Sequence, residues 1–331
     1  MTQVSIIIPC YNEQATIPLL LQALYDQTYP RARMEVVIAD GLSTDRTREA
    51  IAQFQSDHPD LRVRLVSNPR RHIPAGLNVA LAAATGEIVI RLDAHSVPAL
   101  NYVERCVRDL ESKFGDNVGG VWEIQPGAAT FTARAISAAA AHPFGVGDAL
   151  YRYGSKPGPV DTVPFGSFYR AYLANIGGYD ETLLSNEDYE LNTRIRLRGG
   201  RVFLDPDIHS VYFSRPTFSG LAKQYFRYGY WKLRMLKRYP ATIRWRQALP
   251  PLFAASILIL ALAGLFLPLA RWLLLFELGF YLLALIAGSV PVVRRKRDLR
   301  YIMGVPLAIS VMHFSWGFGF LWSLIRSAVE S

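Results

Sequence analysis

A short apolar run, VSIIIP at residues 4–9, decides the fold class of this chain. Its three consecutive isoleucines are β-branched and Pro9 ends it, which is typical of a strand buried on both faces. Residues 14–27 carry apolar side chains at helical spacing, and a second apolar run, MEVVIA, begins at Met34. A buried strand, a helix and another buried strand predict an α/β layer with a parallel sheet.

The same alternation continues to about residue 93. Helices are predicted over residues 46–54 and 76–84, and strands over residues 63–67 and 87–92. Asn12, Asp40 and Asp93 each follow a predicted strand, so we expect them at the carboxyl edge of the sheet, where ligands bind in such folds. No GxGxxG motif follows the first strand, which disfavours a dinucleotide-dependent dehydrogenase.

Charge divides the chain into two halves. Residues 1–207 carry 20 Lys+Arg and 24 Asp+Glu, whereas residues 208–331 carry 16 Lys+Arg and 3 Asp+Glu. The cations of the second half flank long apolar stretches, so anionic lipid head groups are the expected partner. The first half has no basic groove with interleaved aromatic residues, and no nucleic-acid partner is predicted.

The second half contains three apolar stretches of the length that crosses a bilayer, at residues 249–270, 272–293 and 301–325. Upstream of them, Thr217–Tyr239 alternates aromatic rings with Lys and Arg, a pattern typical of an amphipathic helix at the level of the lipid head groups. We therefore predict a soluble domain at 1–213, an interfacial helix region at 214–247 and a membrane domain at 248–331.

The cations beside the spans predict the orientation. Arg244 and Arg246 precede the first span, and Arg294–Arg297 follows the second. Such clusters stay on the cytoplasmic side of a membrane. Met1-Thr2-Gln3 carries no cation of the kind that opens a signal peptide. The expected location is the cell (inner) membrane, with the soluble domain in the cytoplasm.

Two polar motifs carry the candidate chemistry. Asp93 and His95 end a predicted strand, and a carboxylate and an imidazole in that arrangement can hold a divalent cation. Asp188, within SNEDYE at residues 185–190, offers a carboxylate that can take a proton from an attacking hydroxyl. A metal site and a base ahead of membrane spans predict sugar transfer to a membrane-bound acceptor.

Six motifs occur in the order seen in family 2 glycosyltransferases of GT-A fold, which the chain resembles over about its first 210 residues: SIIIPCYNE (5–13), DGLSTD (40–45), ATGE (84–87), DAH (93–95), GGYDE (177–181) and ED (187–188). VDTVPFG at 160–166, QYFRYG at 224–229 and the spans are similar to the succinoglycan ExoA-type membrane-associated branch.

This resemblance implies a nucleotide-sugar-binding, mostly parallel sheet flanked by helices, followed by an interfacial helix and transmembrane helices. It further implies transfer of a hexose from a nucleotide-sugar, expected to be a UDP-sugar, to a polyprenyl-diphosphate-linked saccharide. Such a reaction would serve exopolysaccharide or cell-envelope glycan assembly.

The resemblance also implies roles for individual residues. Asp188 is the expected base of an inverting reaction. Mg²⁺ or Mn²⁺ is expected at Asp93, His95 and His209. His95 stands where the family's DxD motif usually has a second acid, and an imidazole makes Mn²⁺ more plausible. Donor binding is implied for Pro9, Tyr11, Glu13, Asp40, Arg71 and Asp93. Contacts to the acceptor or the diphosphate are implied for Glu187, Gln224 and Arg227.

Several alternatives remain open at this point. Gln224 and Arg227 resemble the QxxRW signature of processive polysaccharide synthases, with Tyr228 in place of tryptophan, or they serve only as an interfacial pair. A polyprenyl-phosphate sugar synthase would need no base. A non-catalytic nucleotide-sugar-binding scaffold would explain His95 as decay of the metal site. Asn186 or Asp188 is also a plausible helix cap.

Overall fold

The computed structural model describes residues 1–154 and 156–329, which form two compact units. The first, here called the sheet unit, comprises residues 1–123 and 153–212. The second, the helical unit, comprises residues 124–152 and the chain from residue 213 onward. Segment 124–152 lies within the range predicted as soluble domain, yet it packs with the C-terminal helices.

The strands are β1 Val4–Cys10, β2 Met34–Asp40, β3 Arg62–Ser67, β4 Ile88–Arg91, β5 Ser96–Pro98, β6 Asn117–Pro126, β7 Gly158–Pro159, β8 Ser167–Tyr169 and β9 Val202–Ser214. In the described chain they form one sheet in the order β3-β2-β1-β4-β8-β6-β9-β5, with β7 paired to β9. The first four strands are parallel, as predicted. Beyond β4 the sheet is mixed, because β4 pairs with β8, and β5 with β9, in antiparallel fashion.

The helices are α1 Ile17–Tyr25, α2 Thr47–Asp57, α3 Ile73–Ala83, α4 Tyr102–Glu111, α5 Phe131–Ala140, α6 Pro143–Val146, α7 Arg170–Asn175, α8 Glu187–Leu197, α9 Phe218–Leu236, α10 Trp245–Ala263, α11 Pro268–Lys296 and α12 Tyr301–Val329. Single 3₁₀ turns lie at 31–33, 150–152 and 240–242. The predicted helices and strands of the first 93 residues are confirmed, with ends displaced by up to three residues.

The core of the sheet unit explains why β1 forms where it does. Ile6, Ile7 and Ile8 are all fully buried, since helices cover both faces of the parallel strands. Each such side chain stabilises the fold by about 1.5–3 kcal/mol. Gly86 lets the chain approach β1: a Cβ built on Gly86 would lie 2.6 Å from the Ser5 backbone nitrogen. The Gly86 N–H instead donates to Ser5 Oγ at 2.8 Å.

The helical unit contains, among the described residues, three helices long and apolar enough to cross a membrane. They are α10, α11 and α12, with mean hydropathies of 1.5, 2.1 and 1.4. Glu277, an acidic residue inside α11, accepts a hydrogen bond of 2.5 Å from Ser256 of α10.

Helix α9 packs against α12 through glycines. A Cβ on Gly229 would lie 2.1 Å from the carbonyl oxygen of Trp316, and one on Gly319 would lie 2.1 Å from that of Phe226. The two backbones therefore touch, as they do where small residues line a helix pair. The face of α9 that is buried carries Leu221, Gln224, Tyr225, Gly229, Lys232, Met235 and Leu236.

Candidate functional site

Left-handed backbone marks the carboxyl edge of the sheet. Asn12, Leu42 and Arg71 follow β1, β2 and β3 with φ values of 56°, 61° and 59°. Phe165, before β8, and Asn186, before α8, have φ values of 65° and 68°. Side chains other than glycine rarely adopt this conformation, and such residues cluster at functional sites. The edge that parallel topology predicts as the binding edge is thus also where the backbone is most constrained.

Asp40 lies at this edge, but both of its carboxylate oxygens already accept hydrogen bonds from neighbouring side chains. The residue is fully buried at the end of β2. Ser43 Oγ donates to Asp40 Oδ1 at 2.6 Å, and Arg48 Nε donates to Asp40 Oδ2 at 2.6 Å. Asp40 therefore holds the turn after β2 in shape. Among the other predicted donor residues, Tyr11 and Arg71 are exposed, and Pro9 is half-buried.

Glu13 orients the imidazole of His95. Glu13 Oε1 lies 3.0 Å from His95 Nδ1, while Glu13 Oε2 accepts a short hydrogen bond from Thr16 Oγ1. A carboxylate can only accept, so Nδ1 carries the proton in this pair. Nε2 is then the basic nitrogen, and it lies 3.9 Å from Asp93 Oδ2. The predicted donor residue Glu13 thus contacts His95 directly.

Asp93 and His95 fit a divalent cation as a pair. Two ligands of one cation, each at about 2.1 Å from it, lie no more than about 4.2 Å apart. The separation of 3.9 Å between Asp93 Oδ2 and His95 Nε2 meets this limit. The described residues contain no group of three or more His, Cys, Asp or Glu side chains arranged for a metal. Two protein ligands leave room for diphosphate oxygens and water, as is usual for Mg²⁺.

His209, predicted to complete the metal site, lies beside the end of β5 opposite to Asp93 and His95. In the sheet, Pro98 of β5 pairs with Ser210 of β9, and the Ala99 N–H donates to the His209 carbonyl oxygen at 2.9 Å. His209 therefore lies beside the residue that follows β5, whereas Asp93 and His95 precede β5. The three-residue strand, about 10 Å long, separates them. His209 instead lines a separate pocket with Asp26, Leu100 and Glu123.

Arg91 brings the two predicted motifs together. Its guanidinium Nη2 donates to Asp93 Oδ1 at 2.9 Å and to Glu187 Oε1 at 3.3 Å. Its Nη1 donates to Asp188 Oδ2. Burial by itself would lower the pKa of Arg91, but the charges of Asp93 and Glu187 outweigh burial and hold that pKa above its ordinary value. Three carboxylates of the site therefore surround the guanidinium of Arg91.

Arg91 was missed as a site residue in the sequence, although a signal was present. It is the charged member of the apolar run IVIRL at residues 88–92, and it is only 2% exposed. Buried charges in proteins are almost always paired. A cation inside a buried strand, two residues before Asp93, therefore required acidic partners from elsewhere in the chain.

Asp188 enters the site from the first turn of α8. Glu187, Asp188 and Glu190 all lie in that turn, where negative charge is favoured by the helix dipole. The side chain of Asn186 makes no capping hydrogen bond to the helix. Asp188 Oδ1 is buried, and within the described chain it has no hydrogen-bond partner. One oxygen of Asp188 is thus fixed by Arg91, and the other is an acceptor without a donor.

Two predicted residues lie in the helical unit. Gln224 on α9 is buried, and its Nε2 donates to Tyr228 Oη at 2.9 Å. Arg227, one turn further along, is exposed. Tyr228 therefore supports Gln224 by accepting this hydrogen bond, whereas the indole of a tryptophan could only donate one.

Comparison with known proteins identifies the family of this chain. Residues 5–176 match the family described as Glycosyl transferase family 2. The succinoglycan biosynthesis protein ExoA of Rhizobium meliloti (strain 1021) is 31% identical over 97% of this chain and 94% of that protein. A dolichyl N-acetyl-alpha-D-glucosaminyl phosphate 3-beta-D-2,3-diacetamido-2,3-dideoxy-beta-D-glucuronosyltransferase of Methanococcus voltae is 25% identical over 98% of both chains.

A solved structure shares the fold. The mannosyltransferase PcManGT from Pyrobaculum calidifontis, in complex with GDP-Man and Mn²⁺, superposes with a TM-score of 0.64 at 21% identity, covering 97% of this chain and 87% of its own. The family match extends over more than half of the chain. The protein therefore belongs to glycosyl transferase family 2 and is a glycosyltransferase of GT-A fold, and its described residues include three helices able to span a membrane.

Proposed function

We propose that this glycosyltransferase is an inverting, metal-dependent hexosyltransferase. It moves one hexose from a nucleotide-sugar, a UDP-sugar in the first instance, to a polyprenyl-diphosphate-linked saccharide at the cytoplasmic face of the cell membrane. The observation that carries the proposal is the state of Asp188: one oxygen is held by Arg91 and the other, buried Oδ1 has no donor among the described residues.

Asp188 acts as the general base. A buried acceptor atom without a donor costs about 1–3 kcal/mol, and an acceptor hydroxyl would supply the missing hydrogen bond. As the hydroxyl oxygen bonds to the anomeric carbon, its proton passes to Asp188 Oδ1. The bond from the anomeric carbon to the donor diphosphate breaks on the opposite side, and the nucleoside diphosphate leaves with the electron pair. This single displacement inverts the anomeric configuration.

Asp93 Oδ2 and His95 Nε2 hold the cation, Mn²⁺ or Mg²⁺. Bound there, the cation would offset the negative charge on the leaving diphosphate. Glu13 acts on this pair through His95, because it fixes which imidazole nitrogen is basic. The remaining donor contacts fall to residues along the same edge of the sheet: Pro9, Tyr11, Asp40 and Arg71. Asp40 takes part through the turn that it holds rather than through a vacant oxygen.

The acceptor is lipid-linked. The relative of 31% identity is named for succinoglycan biosynthesis and the archaeal relative for a dolichyl phosphate-linked sugar, and both align with nearly the whole chain. The three apolar helices of the described residues support a location in the membrane that holds such acceptors. Gln224 and Arg227 on α9, together with Glu187, are the proposed contacts to the acceptor or the diphosphate. The cations at Arg244, Arg246 and 294–297 support a cytoplasmic sheet unit.

The test is transfer by the full chain in membrane vesicles containing polyprenyl-linked saccharides. A panel of UDP-sugars and GDP-mannose is supplied with Mn²⁺ or Mg²⁺, and the lipid-linked product is identified by mass spectrometry. GDP-mannose is included because the mannosyltransferase of the same fold was solved with it. One added hexose with inverted configuration is the expected product.

Asp188→Asn is the decisive variant, because an amide keeps the shape and cannot take the proton. We expect transfer to fall about 10²–10⁴-fold while nucleotide binding is retained. Asp207→Asn is the matched control, since Asp207 is exposed and pairs with Arg105 away from the site. Activity retained by Asp188→Asn would point to a phosphate acceptor and would overturn the proposal that Asp188 is the general base. Binding without transfer would indicate a scaffold, and a polymeric product would indicate a processive synthase.

A further inference from the structure

Arg91 is buried beneath the three acidic side chains that it contacts. Its side chain is 3% exposed, whereas those of Glu187, Asp93 and Asp188 are 11%, 20% and 23% exposed. The guanidinium therefore does not present itself to a substrate. Its effect on any reaction at this edge must pass through the carboxylates above it.

The surroundings of Arg91 fix the guanidinium in place. Arg91 is the last residue of β4, and its backbone N–H donates to the Gly166 carbonyl oxygen at 3.0 Å. The Phe165 ring lies 5.5 Å from the centre of the guanidinium. Phe165 and Gly166 both have left-handed backbone, with φ values of 65° and 87°. The constrained turn before β8 thus positions a ring against the cation.

Arg91 binds one oxygen of Asp93 and one oxygen of Asp188, so the two oxygens of each carboxylate have different surroundings. Asp93 Oδ1 is bound to Arg91, while Asp93 Oδ2 faces His95 Nε2 at 3.9 Å. Asp188 Oδ2 is bound to Arg91, while Asp188 Oδ1 has no donor within the described chain. The guanidinium is a planar, rigid fork, so it sets the distance and angle between these two carboxylates.

The charges give a second reason for a guanidinium here. Three carboxylates held close together repel one another, and without the Arg91 guanidinium they would move apart. One Arg91 charge against three negative charges leaves an excess of two negative charges. That excess matches the charge of a divalent cation, so Arg91 offsets repulsion without removing the attraction for a metal.

We propose that Arg91 is the positioning residue of the transfer reaction, holding the base Asp188 in a fixed relation to the donor-side carboxylate of Asp93. This inference rests on the proposed function of Asp188. Arg91 touches neither sugar nor phosphate; it sets where the proton acceptor lies relative to the leaving group. A lysine cannot replace it, because an ammonium lacks the fork that binds several carboxylates in one plane.

The test is a double-mutant cycle between Arg91→Lys and Asp188→Asn, measured as transfer by the full chain in vesicles. Arg91→Lys alone is expected to lower kcat about 10²-fold, the effect of moving a reacting group by about 1 Å. In the Asp188→Asn background, Arg91→Lys should lower the residual rate by less than about 3-fold, because the group it positions is already disabled. The dissociation constant for UDP should change by less than about 3-fold.

Two further variants test the positioning role of Arg91. Arg64→Lys is the matched control, since Arg64 on β3 also pairs with a carboxylate, that of Glu35 at 3.6 Å, and should leave kcat unchanged. Phe165→Leu removes the ring beside the guanidinium and serves if Arg91→Lys fails to fold. It should lower kcat with the same lack of additivity toward Asp188→Asn.

The outcomes separate the two proposals. If Asp188→Asn lowers transfer about 10²–10⁴-fold as expected but the losses of Arg91→Lys and Asp188→Asn multiply, Arg91 is only structural and the positioning role is overturned while the proposed function stands. An Arg91→Lys protein with wild-type kcat has the same meaning. If Asp188→Asn remains active, or if the wild-type protein transfers no sugar from any donor, the proposed function fails and the role of Arg91 fails with it.

Discussion

Replacing Glu13 by glutamine tests how the imidazole of His95 is prepared for a metal. Glu13 Oε1 lies 3.0 Å from His95 Nδ1, and the opposite nitrogen faces Asp93. Glutamine keeps an oxygen at this position but loses the charge, and it can present its NH₂ group instead. We therefore expect Glu13→Gln to weaken Mn²⁺ binding, because Nε2 becomes a poorer ligand and the ring orientation is less fixed.

The expected size follows from the geometry. A hydrogen bond to a charged group contributes about 1.5–3 kcal/mol, but Glu13 and His95 are 23% and 39% exposed, so solvent screens part of it. The neutral amide retains a weaker bond. The difference is about 1–1.5 kcal/mol, which corresponds to about 10-fold in Mn²⁺ affinity. This value lies at the lower end of the effects seen for residues that support a metal ligand.

The assay is titration of Mn²⁺ into the full chain with UDP present, followed by the electron paramagnetic resonance signal of free Mn²⁺. Glu49→Gln, an exposed glutamate in the first turn of α2, is the control and should bind Mn²⁺ like the wild type. An affinity for Glu13→Gln within 2-fold of wild type would refute the reasoning. So would an equal loss in the Glu49 variant, which would indicate a general charge effect.

Three other outcomes are expected. Gly86→Ala should lose about 1–3 kcal/mol of stability, measured by urea unfolding, because its Cβ would meet the Ser5 backbone nitrogen at 2.6 Å. Unchanged stability would contradict this packing. Burial raises the pKa of Asp109 to about 6, with Asp205 adding to the effect. The Asp109 contribution to stability is therefore complete near pH 4 and is lost as pH rises through 6. As pH rises to 6, the melting temperature of Asp109→Asn should therefore fall less than that of the wild type. An equal fall in both proteins would contradict the raised pKa of Asp109. Removing divalent cations with EDTA should abolish transfer and Mn²⁺ should restore it; transfer that persists in EDTA would exclude the cation.

The parallel half of the fold could be predicted because its signals are local. Apolar β-branched runs mark β1 and β2, and helical periodicity marks α1. The edge at which Asp93 lies follows from parallel topology alone. The motifs GGYDE and ED are distant in sequence from β4, so only the family resemblance linked them to the same site.

The rest of the sheet depends on long-range pairing that periodicity does not encode. Strand β5 has only three residues, and its antiparallel pairing with β9 decides where His209 lies. Without that register, the sequence alone cannot place His209 relative to Asp93 and His95. The role of Arg91 could not be predicted because two of its three acidic partners, Glu187 and Asp188, lie on α8, 96 and 97 positions further along the chain. Segment 124–152 joins the helical unit although in the sequence it lies between two stretches of the sheet unit.

The contact between Gly229 and the Trp316 carbonyl gives α9 a property that amphipathic helices seldom have. A helix attached only by its apolar face can leave and re-enter the lipid as the surface composition changes. Helix α9 instead packs backbone against backbone on α12. If α9 lies at the lipid head groups, as its pattern of aromatic rings and cations predicts, the hydrophobic length of α12 would set its depth, rather than the lipids around it.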